Sequence, residues 1–113
     1  MKNFDLSEVT LQLLEMRKIL ANGWCKGRYS DGHRSCLVGA AYKVLGIPPP
    51  SPPSYGTLSI EECLIWERSA LRRCLIKSIP PSSKRKSLVN FNDNSTKPDV
   101  LGLVDRAIEL SVQ

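Results

Sequence analysis

The strongest constraint on the fold is a helical pattern of apolar residues near the start of the chain. Five residues recur at steps of three and four: Leu6, Val9, Leu13, Met16 and Leu20. This spacing places side chains on one face of an α-helix. Ser7 is a favoured N-cap residue, and Asn22-Gly23 is typical of a helix that ends in the left-handed conformation. The pattern predicts an amphipathic helix that packs one face against a core.

Two more helices are predicted from signals at their ends. A second helix is expected from about Ser35 to Leu45, closed by Gly46. The last helix begins after Thr96, a favoured N-cap residue, and carries Pro98 in its first turn. Its inner stripe is expected to contain Val100, Val104, Ala107, Ile108 and Ser111.

A further helix is predicted between two proline-rich stretches. Ser59 and Glu62 form a capping box at its start, and Pro80-Pro81 prevents its continuation. One side of this helix is expected to carry Ile60, Cys63, Leu64, Leu71, Cys74 and Leu75.

The remaining segments predict short extended structure. The chain from Trp24 to Tyr29 reads as extended, and Ser30-Asp31-Gly32 as a turn, so a small hairpin is expected there. Leu88–Phe91 is a short apolar stretch and is also expected to be extended. The fold class is therefore mainly α: a compact bundle of about four helices with a small hairpin or extended segments.

Length and composition predict one domain over residues 1–113. A chain of 113 residues with 42% hydrophobic residues can bury a modest core. Residues 47–58 contain most of the prolines and are expected to form a proline-rich connector. Residues 79–87 are polar and basic and are expected to form a basic loop.

We expect a soluble, cytoplasmic protein with no membrane contact. No apolar run approaches the ~18 residues of a membrane span, and the first residues show no signal-peptide core. A reducing compartment argues against disulfides among the four cysteines. Cys63 and Cys74 lie eleven residues apart on one predicted helix and would also be too far apart to pair, at more than roughly 15 Å.

Positive charge is concentrated in one segment. Residues 67–86 hold one acid, Glu67, and seven basic residues: Arg68, Arg72, Arg73, Lys77, Lys84, Arg85 and Lys86. The segment carries a net charge of +6, whereas the remaining nine bases and ten acids give −1. Such a segment favours contact with nucleic acid or an acidic protein face. The alternative is an ordinary solvated surface, because no aromatic residues alternate with the bases as in single-strand binders.

Two distant pieces of sequence resemble a known family. The first contains a Gly-Trp-x-x-Gly and a Cys-x-x-Gly-Ala pattern, and the second an Asn-Asp pair before a helix ending Asp-Arg-Ala-Ile. The pattern is similar to a family of small uncharacterised bacterial and phage proteins classed only as a domain of unknown function. The resemblance implies a compact single domain of bacterial or phage origin and no particular activity. The matching residues are Gly23, Trp24, Gly27, Gly32, Cys36, Gly39, Ala40, Asn92, Asp93, Thr96, Val100, Asp105, Arg106, Ala107 and Ile108.

Cys36 is the one weak candidate for a catalytic residue. It lies at a predicted helix N-terminus, where the helix dipole lowers a thiol pKa, and His33 is the single histidine that could act as its base. A small buried core residue is the plainer interpretation. Cys25, His33 and Cys36 could also contribute to a zinc site completed by Cys63 or Cys74. Their spacing lacks the paired Cys-x-x-Cys pattern of such sites, so no metal and no cofactor are predicted.

A small-molecule pocket is a second possible site. A loop tryptophan beside glycines resembles a stacking surface for a ring, and an acid facing it would fix a polar ligand. Turn chemistry before the last helix is the plainer reading of Asn92-Asp93. The residues of this possible pocket are Trp24, Tyr29, Cys36, Asn92 and Asp93.

These observations favour a non-enzymatic macromolecule-binding protein of bacterial or phage origin. A phage inhibitor of a host defence complex, similar in role to an anti-CRISPR, fits the size and charge. The expected partner is a larger protein or nucleoprotein complex, met through the basic residues of segment 68–86. One alternative is a small-molecule or nucleotide binder that uses Trp24, Cys36 and Asp93. The other is a nucleic-acid-binding protein that uses the basic segment directly.

Overall fold

Within the residues that the computed structural model describes (7–30, 34–48 and 58–112), the chain forms six helices. In chain order they are α1 (Glu8–Asn22), α2 (Leu37–Leu45), α3 (Ile60–Arg68), α4 (Ala70–Lys77), α5 (Leu88–Asp93) and α6 (Lys97–Ser111). The mainly α fold class is confirmed, but the expected number of four helices is wrong. None of these helices is long and apolar enough to cross a bilayer.

The core lies between the first and last helices. α1 packs against both α6 and α2, and α4 packs against α6 and α1. Each fully buried leucine contributes about 1.5–3 kcal/mol relative to an exposed one. The residues fully buried on these helices include Leu13, Met16, Leu20, Ala40, Ala41, Leu71, Leu75, Val100, Val104 and Ala107.

Four of the predicted helix ends are confirmed, among them the Ser59–Glu62 capping box at the start of α3. The Ser7 side chain accepts a hydrogen bond from the Thr10 backbone N–H, and Thr96 and Asp99 form a capping box at the start of α6. Gly46 ends α2 with φ +80°, the left-handed conformation that glycine adopts without strain. Ile47 then folds back, so that its backbone N–H donates to the Tyr42 carbonyl at 2.8 Å.

The expected left-handed stop at Gly23 is wrong. Gly23 has φ −174° and is extended, because the chain after α1 runs alongside Ser35. Ser35 donates its N–H to the Gly23 carbonyl at 2.9 Å and accepts from the Cys25 N–H at 3.1 Å. The described part of this loop contains isolated bridges to Ser35 in place of paired strands, and residues 31–33 of the expected hairpin turn lie outside the described residues.

The helix predicted between the two proline-rich stretches is broken in two at Ser69. The Ser69 hydroxyl donates to the Trp66 carbonyl at 2.8 Å and accepts from the Arg72 N–H at 3.1 Å, so one side chain ends α3 and begins α4. The expected single apolar side is therefore wrong for α3. Ile60 is 80% exposed, whereas Leu71 and Leu75 of α4 are fully buried.

The expectation of extended structure at Leu88–Phe91 is also wrong. Ser87 caps a short helix by accepting from the Asn90 N–H at 3.1 Å, and α5 follows. Leu88, Phe91 and Asn92 are buried, so the helix turns both apolar and polar side chains inward. The expected proline-rich connector lies mostly on residues 49–57, which are outside the described residues.

Candidate functional site

The side chain of Asn92 connects the two distant pieces of sequence that contain the Gly-Trp-x-x-Gly and Asn-Asp patterns. It is fully buried on α5. Its Oδ1 accepts from the Trp24 indole Nε1 at 2.7 Å and from the backbone N–H of Leu37 at 3.0 Å. One amide oxygen therefore joins the loop after α1, the first residue of α2, and α5.

The Asn92 amide nitrogen makes the remaining contacts. Nδ2 donates to the Cys25 carbonyl and to Asp93 Oδ1, both at 3.2 Å. Asp93 Oδ1 also accepts from the Gly27 N–H at 2.9 Å. An asparagine amide offers two acceptor positions and two donors, and all four are used within the protein.

A close backbone approach holds the other side of the same loop. The Cys36 N–H donates to the Tyr29 carbonyl at 3.0 Å, and Gly39 lies against that carbonyl. A Cβ at Gly39 would overlap the Tyr29 oxygen, so the loop reaches α2 only because residue 39 has no side chain. Gly27 has φ +82°, a conformation that favours glycine.

Cys36 is the N-cap of α2 and is buried. Its Sγ accepts from the Gly39 N–H at 3.2 Å. Burial raises the pKa of this thiol to about 11, although hydrogen bonds from Gly39 and Val38 act in the opposite direction. The expected lowering of its pKa by the helix dipole is therefore wrong, because desolvation outweighs it. His33, the proposed base, lies outside the described residues.

The basic residues of segment 68–86 lie at the end of α3, on α4 and on the loop that follows. Arg72 is half-buried and faces Glu67, with Nε and Oε2 3.6 Å apart. Arg73 donates to the Arg68 carbonyl at 3.0 Å. The exposed members are Arg68, Arg73, Lys77, Lys84, Arg85 and Lys86.

A groove of about 280 Å³ lies beside this segment. The ring of Tyr29 stacks on that of Tyr42 with centroids 5.7 Å apart, and Trp66 meets Tyr42 edge-on at 5.2 Å. Arg72 and Lys86 also line the groove. We call this site the aromatic groove and refer by that name to Tyr29, Tyr42, Trp66, Arg72 and Lys86. The sequence does not indicate Tyr42 and Trp66 as site residues, because the three rings come from separate segments with no shared spacing.

The DUF6197 family, described as a family of unknown function, matches residues 7–110. The chain belongs to this family. No curated protein and no solved structure matches it. Membership confirms the resemblance to an uncharacterised domain family, whereas its bacterial or phage origin and its signature residues stay predictions.

In this family member, the possible pocket residues have been brought together but are bonded mainly to one another. Trp24, Asn92 and Asp93 use their polar atoms within the protein, and the Tyr29 ring points to Tyr42. The arrangement can hold the loop against two helices. A ligand at these atoms would have to replace existing hydrogen bonds, and the pocket stays a prediction.

Metal ligands are not gathered in the described part of the chain. No group of three or more histidine, cysteine, aspartate or glutamate side chains lies close enough there to hold a metal ion. Cys63 and Cys74 are free thiols, Cys63 being exposed on α3 and Cys74 half-buried on α4.

Because the Cys36 thiol is buried, we expect the free energy of unfolding to fall at alkaline pH. The Cys36 pKa is about 11 in the folded protein against 9.0 for an ordinary thiol. The unfolded chain therefore releases its proton first, and stability falls as the pH rises from about 9 to 11. A shift of this size corresponds to about 2–3 kcal/mol. Urea unfolding at about pH 8 and about pH 11 measures the loss.

Cys36→Ser is the matched variant for this experiment. Serine retains an N-cap oxygen for the Gly39 N–H but does not ionise in this range. The variant should lose about 2 kcal/mol less than the wild type on the same change of pH. Tyr42 and Cys74, whose pKa values burial also raises, affect both proteins equally. Equal losses in the two proteins would contradict the assignment.

Proposed function

We propose that this protein is a non-enzymatic macromolecule-binding protein that meets an acidic partner through the basic surface. We define the basic surface as Arg68, Arg72, Arg73, Lys77, Lys84, Arg85 and Lys86. A bacterial or phage origin and a cytoplasmic location belong to the same proposal. Inhibition of a host defence complex is one role that such a protein would serve.

The observation that carries the proposal is the uncompensated charge of the basic surface. Within the described residues, Arg72 is the one member that faces a carboxylate, and the other six are exposed. Two cations elsewhere have partners within the protein: Arg17 pairs with Asp105, and Lys97 donates to the Ala21 carbonyl at 2.8 Å. Exposed charges of one sign concentrated on one segment attract and orient a partner of opposite charge.

The alternative pocket has weaker support. Its central amide already makes four hydrogen bonds, and its thiol has a raised pKa that disfavours a nucleophile at neutral pH. The geometry of these residues accounts for them as structural supports of the loop. On the basic surface, by contrast, only Arg72 and Arg73 have side chains that hydrogen-bond or pair with another group of the described residues.

Charge reversal tests the proposal with two defined polyanions. The probes are a single-stranded DNA and a poly-glutamate of matched length, measured by fluorescence anisotropy at about 50 and 200 mM salt. The wild type should bind at least one of them, and neutralisation of four to six phosphates predicts a roughly 50- to 300-fold weaker affinity for the DNA at the higher salt. The variant Arg73→Glu/Lys77→Glu/Lys84→Glu/Arg85→Glu should lose binding by about 100-fold or more.

A control variant with the same change of net charge separates the surface from bulk electrostatics. It carries Lys18→Glu, Lys26→Glu, Arg28→Glu and Lys43→Glu, all exposed and all outside the basic surface. Its affinity should remain within about threefold of the wild type at the higher salt, where exposed charges are screened beyond about 10 Å. Equal losses in the two variants, or no binding of either polyanion, would overturn the proposal.

A further inference from the structure

The aromatic groove combines ring surfaces with unused hydrogen-bond donors. The Tyr42 hydroxyl and the Trp66 indole N–H have no hydrogen-bond partner within the described part of the chain. The Tyr42 hydroxyl is protonated at neutral pH, as tyrosines ordinarily are, and burial raises its pKa further, to about 12. The groove therefore offers donors beside aromatic faces.

Positive side chains stand at the edge of the same groove. Arg72 and Lys86 line it together with one acid, Glu67, whose Oε2 lies 3.6 Å from the Arg72 Nε, so the lining has a net charge of +1. Lys84 and Arg85 immediately precede Lys86 and are exposed. The groove is thus continuous with the basic surface along the chain.

A ligand that fits this chemistry has a planar ring with acceptor atoms and phosphate groups on either side. The volume of about 280 Å³ lies at the small end of ligand sites, which suits one ring rather than a large molecule. Proteins that bind single strands combine base stacking on aromatic rings with a cationic path for the phosphates. In the sequence, no aromatic residues alternate with the basic residues of segment 68–86. In the fold, three aromatic rings lie beside Arg72 and Lys86.

We propose that the aromatic groove receives one base of a single-stranded nucleic acid, with Trp66 as a stacking surface and Arg72 and Lys86 beside the adjacent phosphates. The inference rests on the proposed function, since the basic surface supplies the rest of the strand contact. It makes the partner a nucleic acid, or the exposed strand of a nucleoprotein, rather than an acidic protein.

Oligonucleotides with and without bases test the inference. A thymidine 12-mer is compared with a 12-mer of abasic sites, which has the same backbone charge. One stacked base should make the wild type bind the thymidine strand about tenfold more tightly. Trp66→Phe should keep most of this preference. Trp66→Leu should lose it while binding the abasic strand as the wild type does.

Tryptophan fluorescence provides a readout that does not depend on the leucine variant. The thymidine strand should quench the wild-type emission, and the abasic strand should not. In Trp66→Phe the remaining signal comes from Trp24, whose indole is bonded to Asn92, so quenching should disappear.

The outcomes separate the two proposals. Equal affinity for the two strands in the wild type would overturn the base-binding inference and leave the proposed function standing. Tighter binding of poly-glutamate than of either strand would overturn it in favour of an acidic protein partner. Failure of all three polyanions to bind would overturn both.

Discussion

Asn92→Leu is expected to lower the free energy of unfolding by about 3–5 kcal/mol. Leucine has a similar volume but removes all four hydrogen bonds of the buried amide. The Leu37 N–H, the Cys25 carbonyl and the Trp24 indole then lose their hydrogen bonds to residue 92. Each buried polar group left unsatisfied costs about 1–3 kcal/mol, which makes this one of the most damaging single changes available to the chain.

Urea unfolding followed by circular dichroism measures the effect against a control on the same helix. Asn90 is exposed on α5, and its hydrogen bonds to other described residues involve only its backbone, so Asn90→Leu should change stability by less than about 0.5 kcal/mol. If Asn92→Leu were equally mild, the amide would not be a structural centre, and the ligand-pocket interpretation would regain weight. A folded Asn92→Leu protein that still binds polyanions would separate the amide from the basic surface.

Asn92→Asp refines the same test because it preserves shape and one acceptor oxygen. The second carboxylate oxygen would face the Cys25 carbonyl and the Asp93 carboxylate in place of the donating amide nitrogen. A buried charge beside a like charge is strongly unfavourable. We therefore expect a loss of about 3 kcal/mol or more near pH 7, measured by the same urea unfolding.

The sequence predicts the start of α1, the end of α2 and the start of α6 well because each is determined by nearby residues. Ser7, Gly46 and Thr96 bond to groups within four residues of themselves. The break at Ser69 could not be predicted in this way, because no glycine or proline lies there. Serine is compatible with a helix interior or a cap, and the choice depends on how α4 packs against α6.

The candidate site is harder to predict because its contacts are distant in sequence. Trp24, Asn92 and Asp93 stand out as a pattern, but their pairing across 66–68 residues is visible only in the structure. The same holds for the aromatic groove, where Tyr42 and Trp66 look like ordinary core residues. Sequence patterns report local preference and amphipathicity, whereas a site depends on which segments meet.

Gly39→Ala is the second change with a large expected effect, and it is expected to destabilise by about 2–3 kcal/mol. The new Cβ would overlap the Tyr29 carbonyl, which is backbone and cannot move away as a flexible side chain does. Relief requires the loop to separate from α2, which weakens the hydrogen bond from the Cys36 N–H to the same carbonyl. The better helix propensity of alanine offsets only about 1 kcal/mol of this loss.

Gly102→Ala is the matched control because it makes the same chemical change in a different environment. Gly102 lies inside α6, and a Cβ there meets no atom within 4 Å. The substitution should stabilise by about 0.5–1 kcal/mol through helix propensity alone. Thermal unfolding should therefore shift in opposite directions, with the midpoints of the two variants roughly 10–20 °C apart. A neutral or stabilising Gly39→Ala would show that the loop does not need this close approach to α2.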